Sequence, residues 1–100
     1  MSYGADEAYA RKHVGTLIIS PTRELAMQIA VEASKLTSHH KHGVHLFVGG
    51  ESLERQMRGF EKGRKDIVVA TPGRLKDIFQ SRPEVRATFD KINTVIDRGH

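Results

Sequence analysis

Four short runs of apolar, mostly β-branched residues recur along the 100-residue chain and constrain its fold more than any other feature. Their apolar character is nearly continuous rather than alternating, which is typical of strands in a parallel sheet covered on both faces. No apolar stretch is long enough to cross a bilayer, so a membrane span is excluded. The four predicted strands are Thr16–Ser20, Val44–Val48, Asp66–Ala70 and Asn93–Asp97.

The segments between these strands change to a helical period. The apolar positions that mark the predicted helices are Leu25, Ile29, Ala33 and Leu36, then Leu53, Met57 and Phe60, then Leu75, Ile78 and Phe79, then Val85 and Phe89. The resulting order β-α-β-α-β-α-β predicts an α/β fold, a parallel sheet flanked by helices. In such sheets the loops that follow the carboxyl ends of the strands usually carry the binding and catalytic residues. Residues 1–14 are too weakly patterned to assign.

Composition narrows the class of protein further. The 16 Lys and Arg residues exceed the 12 Asp and Glu residues by 4, which gives a mildly basic chain. The absence of cysteine excludes disulfides, thiolate nucleophiles and cysteine-bound zinc. The N-terminal residues show neither the basic nor the apolar part of a secretory signal. We therefore expect an intracellular chain of one domain at most, with the compartment not distinguished.

Two of the predicted strands run into the same kind of segment. Ser20-Pro21-Thr22-Arg23 follows the first strand and Thr71-Pro72-Gly73-Arg74 follows the third. In each, a hydroxyl residue can cap the next helix, proline suits the first helical position, and arginine stands in the first turn. The positive charge of arginine is unfavourable at the positive end of the helix dipole. A bound anion such as a nucleic-acid phosphate would offset this repulsion. One copy alone is more often ordinary capping, but two copies favour anion binding.

The second and fourth strands end in other residue types. Gly49 and Gly50 let another backbone come close, although such a pair by itself is more often a turn. Asp97 occupies the usual place for a carboxylate that holds magnesium beside a nucleotide, although alone it is more often a helix cap. Together the strand ends predict an edge that holds a single nucleic-acid strand by its phosphates and sugars.

A histidine cluster after the longest predicted helix is a candidate metal site. It consists of His39, His40, His42 and His45. Cations near a helix C-terminus are favourable in themselves, and no acidic or cysteine partner lies close in sequence. The pattern therefore favours a solvated segment over a metal site.

Four strings, in this order and spacing, resemble the first RecA-like domain of DEAD-box RNA helicases. They are Ser20-Pro21-Thr22-Arg23-Glu24-Leu25-Ala26, Gly49-Gly50, Ala70-Thr71-Pro72-Gly73-Arg74-Leu75 and Val95-Ile96-Asp97. The resemblance implies a partial RecA-like, P-loop NTPase-type domain at residues 15–97, with residues 98–100 outside the family pattern. It also implies motifs Ia, GG and Ib, which grip the RNA backbone. By this resemblance the RNA-binding residues are Pro21, Thr22, Arg23, Gly49, Gly50, Thr71, Pro72, Gly73 and Arg74.

The resemblance also implies ATP and magnesium in the intact family, but here the sequence departs from it. The family aspartate that matches Asp97 opens Asp-Glu-Ala-Asp, whereas this chain reads Asp97-Arg98-Gly99-His100. By the resemblance, Asp97 matches the magnesium-binding catalytic position of the family, in a motif that is incomplete here. The P-loop, the glutamine motif, the Ser-Ala-Thr motif and the second RecA-like domain with its arginine finger have no counterpart in these 100 residues. We expect neither ATP nor a metal on this chain alone.

Three functional interpretations stay open at this point. The chain is a fragment of an ATP-dependent RNA helicase whose intact parent couples RNA-stimulated ATP hydrolysis to duplex unwinding. Alternatively, it is a non-catalytic module that binds single-stranded RNA or an RNA duplex by the phosphate backbone, or a non-functional truncated product. In each case the sheet is expected to expose an apolar edge, which favours association.

Overall fold

The structure is a computed structural model that describes residues 3–36 and 43–98, with side chains from residue 7 onward. Within these ranges the chain forms four strands and five helices. The strands are β1 (Thr16–Ile19), β2 (Val44–Phe47), β3 (Ile67–Ala70) and β4 (Thr94–Asp97). The helices are α1 (Tyr3–Lys12), α2 (Arg23–Leu36), α3 (Leu53–Lys62), α4 (Pro72–Ser81) and α5 (Pro83–Ala87).

The four strands form one parallel sheet in the order β2-β3-β1-β4, which confirms the predicted α/β architecture. Their register is level at the carboxyl end. Ile19 pairs with both Ala70 and Asp97, and Ala70 pairs with Phe47. The segments that leave the four strands therefore start from one edge of the sheet, which we call the carboxyl edge.

Helix α2 covers one face of the sheet, where Ala26 is fully buried against Val48 and Val69. The predicted stripe of α2 is only partly right, because Ile29 joins this core but Leu36 is 81% exposed. A 14-residue helix is about 21 Å long, whereas a four-residue strand spans about 13 Å. The last turn of α2 therefore extends past the strands it covers.

Helices α3, α4 and α5 supply the larger core on the opposite face. Phe60 is buried at its centre, edge-on to Phe47 at 5.1 Å and stacked with Phe89 at 6.4 Å between ring centroids. Met57 and Ile78 are buried in the same cluster. Because helices cover both faces, the three strands nearest to them are apolar along nearly their whole length.

Strand β4 differs from the other three because all four of its residues are exposed. Val95 is 56% exposed and Ile96 is 39% exposed. Neighbouring strand residues point to opposite faces, so neither face of β4 is covered. Among the described residues, no helix has the length and apolar character needed to cross a membrane.

Helix α1 lies within residues 1–14, for which the sequence pattern predicts no helix or strand. Among the side chains of α1 that the structure describes, residues 7–12, only Ala10 is buried, and Val14 after the helix is buried as well. Polar contacts hold it to the end of α3 instead. Arg11 Nη1 donates to the Lys62 carbonyl at 2.7 Å, and the Lys65 amide donates to the Ala10 carbonyl at 2.6 Å.

Candidate nucleic-acid interface

The segment after β1 departs from the predicted capping geometry. Helix α2 begins at Arg23, and its cap is Thr22, whose Oγ1 accepts a hydrogen bond from the Leu25 amide at 3.2 Å. Ser20 does not cap the helix: its Oγ donates to the Thr22 carbonyl at 3.2 Å, and its amide still pairs with the Ala70 carbonyl of β3 at 2.9 Å. The helix therefore starts two residues later than predicted, and Pro21 precedes the cap instead of occupying the first helical position.

The segment after β3 follows the prediction for proline but not for the hydroxyl. Pro72 opens α4, as expected of a residue without an N–H. Thr71 occupies the capping position without a side-chain capping hydrogen bond, and its amide donates to the Phe47 carbonyl at 3.1 Å. The two segments thus share residue types but differ in geometry, and the prediction that they are equivalent is wrong.

Both arginines nevertheless lie in the first turn of their helices and reach the same turn of the chain. That turn is Gly49–Glu51, which follows β2 and Val48. Arg74 Nη2 donates to the Glu51 carbonyl at 2.9 Å. Arg23 crosses the end of β3 and places its Nη1 against Gly50. One guanidinium comes from the α2 face of the sheet and the other from the opposite face, and neither pairs with a carboxylate in the described ranges.

Gly50 is the glycine of this turn that the geometry requires. Its φ of 81° lies in the left-handed region that favours glycine. A methyl group built on Gly50 would also overlap Arg23 Nη1. The close approach predicted for the glycine pair is thus made by a guanidinium group rather than by another backbone. Gly49 and Gly73 are exposed, and a methyl group on either would meet no described atom within 4 Å.

Gln56 was missed by the sequence analysis, although it contacts the same region. It lies on α3, and its Nε2 donates to the Val48 carbonyl at 3.0 Å. Ser52 caps the helix, with Oγ accepting from the Arg55 amide at 3.3 Å. A shallow depression of about 390 Å³ is lined by Glu51 of the turn, by Leu46 of β2, and by Ser52, Arg55 and Gln56 at the start of α3. A single glutamine in the first part of a helix carries no sequence signal that it supports the loop before that helix, so no pattern could have identified Gln56.

Asp97 ends β4 at the carboxyl edge, where the sequence predicts it. It is exposed, and the amide of the next residue, Arg98, donates to the Ile19 carbonyl at 2.7 Å. Three strand spacings, roughly 14 Å, separate β4 from β2 and its glycines. The edge therefore has a carboxylate at one end and the two arginines near the other.

The described residues around Asp97 do not make a site that fits magnesium. A hard divalent cation takes several oxygen ligands, usually with more than one carboxylate or phosphate among them. The described part of the chain holds no group of three histidine or acidic residues that could share a cation. The residue after Asp97 is a cationic arginine. The described residues around Asp97 therefore support no metal-dependent catalytic step.

Of the histidine cluster, His39, His40 and His42 lie outside the described residues. His45 packs edge-on to Phe60 at 5.2 Å, and its Nε2 donates to the Arg64 carbonyl at 2.7 Å. Burial lowers the pKa of His45 below its ordinary value, with a smaller contribution from the Lys65 charge. These contacts hold His45 within the fold, so the expectation of a solvated segment is wrong at this position.

A parallel α/β sheet with arginines and helix N-termini gathered at its carboxyl edge is typical of domains that bind phosphate-bearing ligands. The family model described as "DEAD/DEAH box helicase" matches residues 5–97, which is nearly the whole chain. The chain belongs to the DEAD/DEAH box helicase family.

Named relatives agree with this assignment. The chain is similar to "DEAD-box ATP-dependent RNA helicase 25" of Oryza sativa subsp. japonica, with 45% identity over 74 residues, 73% of this chain and 12% of the rice protein. It is also similar to "ATP-dependent RNA helicase RhlB" of Pseudomonas syringae pv. tomato, with 40% identity over 99 residues, 90% of this chain and 25% of that protein. The mitochondrial "ATP-dependent RNA helicase mss116" of Aspergillus oryzae is 44% identical over 88 residues, 86% of this chain and 14% of that protein. The chain thus spans a quarter or less of the length of these three relatives.

Proposed function

We propose that this chain is the RNA-gripping part of the first RecA-like domain of an ATP-dependent RNA helicase. The observation that carries the proposal is the convergence of Arg23 and Arg74 on the Gly49–Glu51 turn from opposite faces of the sheet. In this assignment motifs Ia, GG and Ib hold the phosphate backbone of a single strand. Their residues are Pro21, Thr22, Arg23, Gly49, Gly50, Thr71, Pro72, Gly73 and Arg74.

The physical argument rests on unused hydrogen-bond donors. A guanidinium has five N–H donors, and the contact with the Glu51 carbonyl engages only one nitrogen of Arg74. Arg23 is exposed and makes no ion pair with another described residue. A phosphate accepts several such donors at once and is also favoured at the N-termini of α2 and α4. Gly49 and Gly73 are exposed and a methyl group on either would have open space around it, so their backbones are accessible to a ligand.

The nucleotide chemistry of the family belongs, in this proposal, to the longer protein. DEAD-box helicases generally use ATP and magnesium. Asp97 would hold magnesium there together with groups that the described residues do not supply, and Arg98 stands where the family has a glutamate. We propose that this chain alone binds RNA without turning over ATP, and that duplex unwinding requires the second RecA-like domain.

The incomplete motif at Asp97 specifically favours a second candidate function, that of a non-catalytic RNA-binding module. The two candidates share the same RNA contacts and differ in whether the chain acts within a longer helicase. The sequence of the flanking transcript separates them, because a P-loop upstream and Glu-Ala-Asp in frame after Asp97 would restore the helicase interpretation.

The salt dependence of RNA binding tests the proposed contacts. We expect the 100-residue chain to bind a short fluorescein-labelled oligouridylate weakly, with an affinity that falls as salt rises. Each phosphate contact to a single strand contributes about 0.7 to the slope of log K against log salt. The double variant Arg23→Ala/Arg74→Ala should therefore lower the magnitude of that slope by about 1.4, as measured by fluorescence anisotropy.

A charge-matched control separates local contacts from net charge. Lys62→Ala/Arg86→Ala removes the same two charges from exposed positions on α3 and α5, near the opposite end of the sheet. That control should keep the slope of the unaltered chain. Equal slopes for the two double variants would rule out Arg23 and Arg74 as phosphate contacts.

A further inference from the structure

The Gly49–Glu51 turn begins directly after a buried residue, Val48. Val48 is fully buried between α2 and β3, whereas residues 49–52 are all exposed. The Val48 carbonyl is the last backbone group before the turn, and it accepts the hydrogen bond from Gln56 Nε2 at 3.0 Å. Gln56 therefore ties the residue just before the turn to α3.

The orientation of the Gln56 amide follows from its partner. A backbone carbonyl has no hydrogen to donate, so the amide nitrogen must face Val48. Gln56 Oε1 is buried and has no hydrogen-bond partner among the described residues. Leaving a buried acceptor unpaired costs free energy. The contact with Val48 is thus maintained although the other half of the amide is unsatisfied.

Both arginines touch the turn that Gln56 supports. Arg74 holds the Glu51 carbonyl, and Arg23 rests on the face of Gly50 where a side chain would stand. If the turn shifts, the two guanidiniums lose their common backbone support and with it their fixed separation. Binding of successive phosphates by two groups depends on that separation, because an ordered pair loses less conformational entropy on binding.

We infer that Gln56 is a positioning residue for RNA binding: through the Val48 carbonyl it fixes the Gly49–Glu51 turn on which Arg23 and Arg74 are aligned. This inference rests on the proposed function. Gln56 itself does not contact RNA in this arrangement, since its amide nitrogen faces the protein backbone and its amide oxygen is buried.

The test uses Gln56→Met, which keeps the length of the side chain and removes the donor. With the labelled oligouridylate, we expect binding about three- to tenfold weaker, the range that follows from one lost hydrogen-bonded support. The same substitution at Gln80, an exposed position near the end of α4, is the matched control and should leave the affinity unchanged.

Coupling to the arginines distinguishes positioning from a general loss of structure. In the Arg23→Ala/Arg74→Ala background, Gln56→Met should cause no further loss of affinity, because there is no guanidinium left to align. An equal fold-loss in both backgrounds, or an unchanged affinity of Gln56→Met, would overturn the inference. The proposed function fails by a different result, namely arginine variants that bind like the unaltered chain.

A second variant keeps the test decisive if Gln56→Met does not fold. Gln56→Leu removes the amide donor without adding a charge beside the phosphate site. Gln80→Leu makes the same change at the control position. Weaker binding by Gln56→Leu than by Gln80→Leu supports the inference, and equal binding contradicts it.

Discussion

His45 is a partly buried, titratable side chain of strand β2 that packs edge-on against the ring of Phe60. Burial is the main cause that lowers its pKa, and the Lys65 charge adds to it, while the Arg64 carbonyl and the Asp66 carboxylate act in the opposite direction. A lowered pKa means that the folded chain holds the neutral imidazole more strongly than the unfolded chain does. The stability of the fold is therefore linked to pH at this residue.

We expect the free energy of unfolding to fall as the pH drops from about 7.5 to 5.5. The unfolded chain takes up the proton near the ordinary pKa of 6.5, whereas folded His45 takes it up only at lower pH. The contribution is present above pH 6.5 and is lost as the pH falls through the lower, folded value. His45→Gln keeps an N–H donor for Arg64 but does not titrate. Denaturation followed by circular dichroism should show a shallower pH dependence for this variant, and equal slopes would contradict the assignment.

Lys65 makes a polar connection between elements: it is only 3% exposed and lies at the junction of α3 and β3. Its ammonium donates to the Arg11 carbonyl at 2.5 Å, the Gly63 carbonyl at 3.1 Å and the Glu61 carbonyl at 3.3 Å. These carbonyls lie near the C-terminal ends of α1 and α3, where a cation is favoured. The ammonium also lies 4.9 Å from the centroid of the Phe60 ring. Lys65 thus joins α1 to α3.

Replacing Lys65 with methionine should lower the free energy of unfolding by about 2–3 kcal/mol. The substitution fills a similar space but leaves three carbonyl groups without their common donor. Urea denaturation measures the change. Lys62→Met, at an exposed neighbouring position, should change stability by no more than about 0.5 kcal/mol. Similar losses for the two variants would show that Lys65 acts through something other than these contacts.

The strands and the residues of the candidate site differ in how well the sequence predicted them. All four strands were located to within one residue at either end, because short apolar runs between helical periods are a local signal. The sequence also predicted Arg23 and Arg74 at the carboxyl edge, because each closely follows a strand of a parallel sheet. Gln56 and Lys65 were not, because each acts on backbone carbonyls whose positions depend on the folded arrangement of several elements. The start of α2 was misplaced because Ser20 still pairs with β3, a tertiary requirement that overrides local capping preference.

Across the whole molecule, the two outer strands of the sheet are in different environments. The outer strand β2 packs against both α2 and α3. The outer strand β4 pairs with β1 on one side and is exposed on both faces. A parallel strand with uncovered apolar side chains offers backbone groups and apolar area to another chain at the same place. Contacts between copies of this chain are therefore expected at β4 rather than at β2.

Association at β4 predicts how two matched substitutions differ. The average mass of the 100-residue chain should rise with concentration in sedimentation velocity, because pairing at the β4 edge covers both Val95 and Ile96. Val95→Lys places a charge on this edge and should keep the chain monomeric. Val31→Lys introduces the same charge on α2 at a residue that is 55% exposed, as against 56% for Val95, and should leave the association unchanged. If Val31→Lys abolishes the mass increase and Val95→Lys does not, the helical face of α2 is the contact, and the free strand edge is not what drives these chains together.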